Sequence, residues 1–568
     1  MSRLDSTGGS EGGAGSGTDR PPAVPGSSTP PCVVHEDDDL LVVHKPAGWN
    51  THAPSPHAGE GIYEWLRHRE PRWATLAIVH RLDKETSGLL VFGKSTRANR
   101  SLTEQFSGRA VDKRYLLHVR GALRGTSPTA RVEALPEGRI RVTSWIHRDG
   151  DAYVGRATGI AGEEAVTEFG PAGSGPEGVS VWEARPSTGR THQIRVHAAA
   201  LGQPILGDAL YGGSPAERVW LQSVGIRFLH PGSGEPVEFG LPRESPGDGE
   251  PWSIVRAILR DAETDAFRWL HGASAGLPGV HVERLHRHLL VQTVGDVPDL
   301  SGRPRPFGFV EDGVYAKRLR RDVRQTAVVE TCPTLVSGVA APERFAVCEN
   351  GVRYDVSFGE GYSYGLFLDQ RDNRRRLLAN HVAAGFPLFP EGAAGREVLN
   401  CFAYTCAFSV CAARAGARAT SLDLSRKYLD WGRRNFALNG LDPSDHDFIF
   451  GDCFDWMRRL AKKGRRFDAV LLDPPTFSRS REHGDFRAET DYGDLVRAAM
   501  ALLVPGGVLF ASTNAARVAP EGFVATVSAA VAAEGRGVLS QHYVPQPPDF
   551  PVSRAEPAHL KTVWTRVS

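Results

Sequence analysis

The sequence predicts a multidomain chain: an α+β unit, then a small β-rich unit, then an α/β unit built on a parallel sheet. Three observations carry that expectation. At 568 residues the chain is too long to fold around one hydrophobic core. A Pro/Gly/acid break, Glu244-Ser245-Pro246-Gly247-Asp248-Gly249-Glu250-Pro251, interrupts it in the manner of a linker. Beyond the break, the apolar runs Glu397 to Phe402, Ala419 to Asp423 and Phe467 to Leu472 alternate with helical stretches. That alternation makes a parallel sheet with helices on both faces and a ligand site at the carboxyl ends of its strands.

The boundaries expected are a disordered tail over 1–30, a first catalytic unit over 31–245, a linker and small β-rich unit over 246–340, and a second catalytic unit over 341–568. The tail is Gly, Ser, Pro and Thr without an apolar segment, so it reads as disordered and not as a secretory signal. No run of about eighteen apolar residues occurs, so no membrane partner is expected. Seven cysteines without a CxxC pair argue against a disulfide framework or a zinc site. The cytoplasm is therefore the expected compartment, with no metal. Cys401, Cys406 and Cys411 read as small core residues. A net charge of +1 does not itself suggest nucleic acid. The basic runs Lys317-Arg318-Leu319-Arg320-Arg321, Arg374-Arg375-Arg376 and Lys462-Lys463-Gly464-Arg465-Arg466 read first as solvated faces.

In the first unit, Asp39 to Gly48 is expected to be a short strand running into a turn. Leu76-Ala77-Ile78-Val79 is expected to be a buried strand delivering His80-Arg81-Leu82-Asp83-Lys84-Glu85-Thr86-Ser87-Gly88. A carboxylate leaving a strand beside an arginine stays ionised and fixed in direction, as a nucleophile must. Leu89 to Gly93 follows as a second strand, Thr96 to Phe106 as an amphipathic helix, and Lys113 to Val119 as a strand carrying Tyr115. Then come Arg185-Pro186-Ser187-Thr188-Gly189-Arg190-Thr191-His192-Gln193-Ile194-Arg195-Val196-His197 and Gly202 to Asp208. In order and spacing, over about 200 residues, these pieces resemble the large-subunit pseudouridine synthase A family. The resemblance implies a mixed, largely antiparallel sheet with a cleft, and isomerisation of uridine to pseudouridine without cofactor or metal. It implies that Asp83 attacks the uridine, that Tyr115 packs on the base and helps remove the C5 proton, that Arg195 pairs with Asp83, and that Arg81 fills the space left by the flipped base.

After the break, Phe267 to Gly272 and Gly276 to Arg284 resemble the small β-rich segment ahead of the catalytic domain in certain large-subunit rRNA methyltransferases, which would present RNA. In the second unit the turn Phe402-Ala403-Tyr404-Thr405-Cys406 lies where a nucleotide-like ligand meets backbone amides. Asp423 is positioned for ribose hydroxyls and Asp452 for an adenine amino group. Asp473-Pro474-Pro475-Thr476-Phe477 makes a rigid turn suited to gripping a planar base, which would stack on Phe477. The set resembles Rossmann-like class I S-adenosylmethionine-dependent methyltransferases, although related enzymes carry glycine near Cys406. With Gly365-Leu366-Phe367-Leu368-Asp369-Gln370-Arg371 and Asn435 to Gly440 it resembles large-subunit rRNA methyltransferases. The resemblance implies S-adenosyl-L-methionine held by Phe402, Tyr404, Thr405, Asp423, Asp452 and Asp473, and a base held by Asp473, Pro474, Pro475 and Phe477.

Two branches compete, 7-methylguanosine and 5-methylcytidine. Carbon methylation needs a cysteine at pyrimidine C6. No cysteine follows Asp473-Pro474-Pro475 or occurs in Val508 to Asn514, which favours guanine N7. The expected function is a bifunctional RNA-modifying enzyme acting on ribosomal RNA. The alternatives are a ribosome-assembly factor with a decayed second site, or one half acting on transfer RNA or protein glutamine.

Overall fold

The computed structural model describes residues 29–58, 61–159, 162–176, 178–246, 253–319, 332–361, 363–480, 484–553 and 556–568. The tail up to residue 28, much of the linker, and Arg320 and Arg321 lie outside the described residues.

The first unit is a twelve-stranded mixed sheet. Its main path runs Val33–Glu36, Leu40–Lys45, Ser87–Gly93, Leu221–Leu229, Asp112–Arg120, Val179–Pro186, Glu163–Ser174, Ile140–Asp149 and Arg131–Ala134. Neighbours are antiparallel except Ser87–Gly93 against Leu221–Leu229, where Ser223 lies opposite Gly88. A Cβ at Gly88 would run into the Ser223 backbone, and its φ is +117°. The Thr-Ser-Gly turn therefore ends in the residue that lets the strand after Asp83 approach so closely. Ser223 also faces Tyr115 on its other side, so one strand brings the aspartate loop and the tyrosine to the same end of the sheet. Helix Thr96–Ser107 is capped by Ser95, whose hydroxyl accepts from the Ala98 amide. The buried strand expected ahead of Asp83 is only the half-buried pair Ala77–Ile78, at the sheet's flank. The Arg195 motif lies on helix Gln193–Ala200.

The middle unit is a five-stranded sheet ordered Ala266–His271, Val280–Leu285, His288–Thr293, Gly313–Arg318 and Thr334–Gly338. The short helix Ile254–Ile258, which follows the linker, packs Val255, Ala257 and Ile258 into the first unit's core.

The last unit has the sheet order Asp447–Phe450, Arg418–Asp423, Glu397–Cys401, Phe467–Leu472, Leu503–Thr513, Lys561–Val567, Val538–Val544. Its first five strands are parallel and Lys561–Val567 is antiparallel to both neighbours. Chain order reverses between Glu397–Cys401 and Phe467–Leu472, which opens a crevice at their carboxyl ends. Cys401, Cys406 and Cys411 are buried core residues, as their apolar surroundings suggested.

The Arg374-Arg375-Arg376 run is neither a solvated face nor a phosphate track. It sits on helix Arg371–Leu378, where Arg374 is bidentate to Glu349 at 2.7 and 2.6 Å. Arg375 crosses to the first unit, donating to the Arg69 carbonyl (2.9 Å) and pairing with Glu70. Trp65 donates to Asp372 (3.3 Å), the Ala384 amide donates to His68 (3.2 Å), and the His68 and His542 rings lie 4.3 Å apart. The two catalytic units are thus packed against each other through buried charge. Among the described residues no helix is long and apolar enough to cross a membrane, and no group of His, Cys, Asp or Glu is arranged to hold a metal ion.

Candidate functional site

The first site is built around the Asp83 loop, which the fold clamps on both sides. The Thr51 hydroxyl donates to the Leu82 carbonyl (2.9 Å) and accepts from the Leu82 amide (3.0 Å). On the far side the Lys84 carbonyl accepts from the Gly48 amide (2.8 Å) and from Lys45 Nζ (3.2 Å). Lys45 is fully buried and spends its other two donors on the Pro46 and Trp49 carbonyls. Burial pulls its ammonium down to about 7, while the Asp83 and Glu85 charges hold it up. The opening Lys-Pro-x-Gly turn therefore supplies a cation behind the aspartate, a role sequence reasoning had not given it.

Burial raises the Asp83 carboxyl above the usual range, and His192, Arg195 and Lys45 oppose that rise. Arg195 does not form an ion pair with Asp83. It is bidentate to the buried Asp208 at 2.7 and 2.7 Å, reaches Glu85 at 3.3 Å, and acts on Asp83 at longer range. Its guanidinium also lies 5.2 Å from the Tyr211 ring. Asp208 was quoted in the sequence only as the end of a motif; its spacing from Arg195 gave no sign of the pair. His192 was missed as well. It opens helix Gln193–Ala200 with φ of +57° and bonds Tyr211 through Nδ1 at 2.8 Å. A non-glycine residue held in that region is strained, and strain of this kind clusters at functional sites.

Tyr115 is buried, and burial together with the Asp83 charge pushes its hydroxyl well above the ordinary value. It is a phenol at neutral pH, suited to packing and donating and poorly suited to removing a proton. Arg81 is exposed and projects into the same cleft, of about 800 Å³, which Asp83, Tyr115, Lys113 and Arg190 also line. The cleft is large enough for an extruded nucleotide.

The second site lies in the crevice at the carboxyl ends of the parallel strands. The turn after Glu397–Cys401 places Phe402, Tyr404 and Cys406 all at positive φ (57°, 49° and 62°). Cys406 thus takes a left-handed backbone conformation that glycine adopts freely. Its side chain fits because residue 432 is glycine: a Cβ there would overlap Cys406 Sγ. Asp423 accepts from the Tyr404 amide on one oxygen and from the Ser425 amide on the other, each at 2.8 Å. Ser425, not Asp423, caps the following helix. Each Asp423 oxygen keeps a second lone pair, so the carboxylate fits a ribose diol. Asp452 lines a cavity of about 410 Å³ with Phe402, Leu424 and Phe454, and it caps helix Cys453–Lys462. The Thr405 side chain is fully buried and donates to the Gly365 carbonyl at 2.7 Å, so of this residue only the backbone is left to meet a ligand.

Asp473 is anchored by Gln370, whose Nε2 donates to Asp473 (3.2 Å) and to Ser512 Oγ (2.8 Å). Gln370 in turn accepts from Asn373 (2.8 Å). The Tyr492 hydroxyl donates to the Leu472 and Ser512 carbonyls and accepts from the Ser512 amide, tying the ends of the two central strands together. Burial raises Asp473 to about 6, with Asp369 adding to the rise and Ser512, Gln370 and Arg374 resisting it. Pro474 is buried and Pro475 exposed. Phe477 is half-buried on the hairpin Phe477–Ser480/Gly484–Arg487, and the Arg487 guanidinium lies 5.3 Å from its ring centre.

Comparison with known proteins gives two family matches. Residues 39–200 match the RNA pseudouridylate synthase family, and residues 318–566 match the S-adenosylmethionine-dependent methyltransferase family. A ribosomal RNA large subunit methyltransferase of Deinococcus radiodurans is 33% identical over 317 residues, covering 54% of this chain and 73% of that one. Ribosomal RNA large subunit methyltransferase K/L of Allochromatium vinosum is 36% identical over 264 residues, covering 46% of this chain and 32% of its own length. Among solved structures, human RNA Pseudouridylate Synthase Domain Containing 1 is 27% identical, covering 37% of this chain and 82% of that one, with a TM-score of 0.30.

Proposed function

Since this chain belongs to the ribosomal RNA large subunit methyltransferases and carries an RNA pseudouridylate synthase unit in front, we propose that one cytoplasmic polypeptide makes two marks in large-subunit ribosomal RNA, pseudouridine at the first cleft and 7-methylguanosine at the second. The observation that carries the guanine assignment is Asp473. At neutral pH its carboxylate is largely ionised, a pure acceptor. Guanine offers it two adjacent donors, N1–H and N2–H, on the edge opposite N7. Cytosine offers one donor group, its N4 amino group, with the N3 acceptor beside it. The cysteines of the second unit's sheet agree. Cys401, Cys406, Cys411 and Cys453 are all buried, and burial raises the Cys406 and Cys411 thiols to about 12, so neither is a ready C6 nucleophile.

At the first cleft Asp83 attacks the flipped uridine, at sugar C1′ or base C6. The N1–C1′ glycosidic bond breaks, the uracil turns, C5 bonds to C1′, the bond to Asp83 is released, the C5 proton leaves and N1 takes up a proton, with no net change in composition. Arg195 and Lys45 favour the charged carboxylate against its burial, while burial lowers His192 and leaves it a neutral neighbour at neutral pH. Tyr115 packs on the base, and Arg81 enters the vacated stack. At the second site S-adenosylmethionine, when bound, supplies an electrophilic methyl group. Asp423 takes the ribose hydroxyls, Asp452 lines the adenine pocket, and Asp473 holds the guanine edge so that N7 faces inward. Guanine N7 is already nucleophilic and needs only this positioning.

The distinguishing experiment uses RNA containing 5-fluorocytidine. The N7 reading yields no covalent protein–RNA adduct, and the natural RNA becomes cleavable by aniline at the modified guanosine. A trapped adduct that is lost on changing one cysteine to serine overturns it in favour of cytosine C5. The raised Asp473 gives a further expectation. Its carboxylate must be ionised to accept the guanine donors, so the methyl transfer rate falls as pH drops through about 6, not near the ordinary aspartate value of about 3.9. Single-turnover rates between about pH 5 and 8 measure this. A rate flat down to pH 5 would contradict the role given to Asp473.

A further inference from the structure

We propose that Phe367, not Phe477, is the platform on which the base to be methylated stacks. This rests on the methyl-transfer reading above but not on which base is methylated. Among the described residues only Phe367 (51%) and Phe450 (45%) are phenylalanines with large exposed surface. Phe450 is covered by Arg426, 4.5 Å from its ring centre. Among the described residues no such cation lies over Phe367. The one ring packed on it among the described residues is Tyr404, at 5.3 Å and tilted by 47°.

An exposed aromatic would normally fold inward, since burying its apolar surface is favourable. Here the backbone prevents that. The Gly365 carbonyl is held by Thr405, and the Phe367 carbonyl accepts from Arg374 at 2.8 Å, itself locked to Glu349 in the core. Gly365 has φ of +116°, and a Cβ there would meet the Trp431 ring. The turn is rigid and presents the ring outward.

Its position gives the exposure a use. Tyr404, against which the ring leans, belongs to the cofactor turn through its amide bond to Asp423. Three residues after Phe367, Gln370 grips Asp473 and Ser512. Phe367 therefore stands on the turn that joins the cofactor side to the carboxylate expected to hold the base edge. A nucleotide taken out of its helix loses its stacking neighbours, and an aromatic face replaces them. A purine held at its edge by Asp473 needs such a face. Phe477 already carries Arg487.

The test compares full-length Phe367→Ala and Phe367→Tyr with the parent chain. The alanine variant is expected to lower kcat/KM for methyl transfer to the ribosomal RNA substrate by about 10- to 100-fold, the usual worth of one base–aromatic stack. S-adenosylmethionine affinity by calorimetry, the thermal midpoint and pseudouridine yield should stay unchanged, and the tyrosine variant should recover the loss. Undiminished methyl transfer in the alanine variant overturns the proposal. So does a parallel fall in cofactor affinity, which would make Phe367 part of the cofactor pocket, or failure of tyrosine to rescue. A parent chain found to methylate cytosine sinks the guanine assignment while leaving this comparison intact.

Discussion

Asp83→Asn in the full chain removes pseudouridine formation, by a factor on the order of 10⁴ or more, the range seen when an enzyme loses its nucleophile. The carboxamide matches the carboxylate in shape and keeps the loop geometry set by Thr51, Gly48 and Lys45. It cannot act as an anionic nucleophile. Lys45 and Arg195 act on Asp83 in favour of its charged form, and asparagine leaves them without that charge. Folding and methyl transfer should be unaffected, because the change is isosteric and lies on the cleft side of its loop. Release of tritium from C5-labelled uridine measures the first activity. Release near the parental rate from the purified variant would exclude Asp83 as the nucleophile.

The second large effect concerns stability. Arg371 and Asp549 form a bidentate pair at 2.8 and 2.6 Å, with 2% and 0% of their side chains exposed. Asp549 also accepts from the Arg268 amide of the middle unit. Arg371→Ala strands a buried carboxylate, and losing one partner of such a pair costs about 3–5 kcal/mol. The double variant Arg371→Met/Asp549→Leu removes both charges and should recover most of that loss, since apolar replacements of a buried pair are often neutral. Chemical denaturation at neutral pH checks both. A single-variant cost below about 1 kcal/mol would show that the pair is solvated and weak. The helix carrying Arg371 begins next to Gln370 and carries, through Asp372 and Arg375, the contacts to Trp65 and Glu70, so the destabilised chain should also lose activity at both sites.

The chemistry-bearing loops were legible in the sequence because each is local. The aspartate turn, the alternating strands and the acid-Pro-Pro turn are runs of consecutive residues whose types carry their own reason. Partners were not legible. Arg195 was expected to pair with Asp83 but bonds Asp208, because both lie near the cleft and only the helix direction decides which one the guanidinium meets. Arg374-Arg375-Arg376 looked like a solvated run because composition cannot show that Glu349 and Glu70, distant in sequence, converge on it. The missing glycine near Cys406 looked like a weakness. Gly432, on another element, supplies the space that the cysteine side chain needs. The Thr405 side chain is held by the Gly365 carbonyl, a hydrogen bond that no spacing rule announces.

The central claim is that one chain carries two independent chemistries for ribosomal RNA. Large-subunit ribosomal RNA from cells lacking this protein, treated with the purified full chain and analysed by nucleoside mass spectrometry, tests it most directly. The account predicts pseudouridine with or without S-adenosylmethionine, and 7-methylguanosine only when it is present. A methyl mark on cytosine, a pseudouridine yield that needs the cofactor, or either product missing from RNA that lacked it would contradict it.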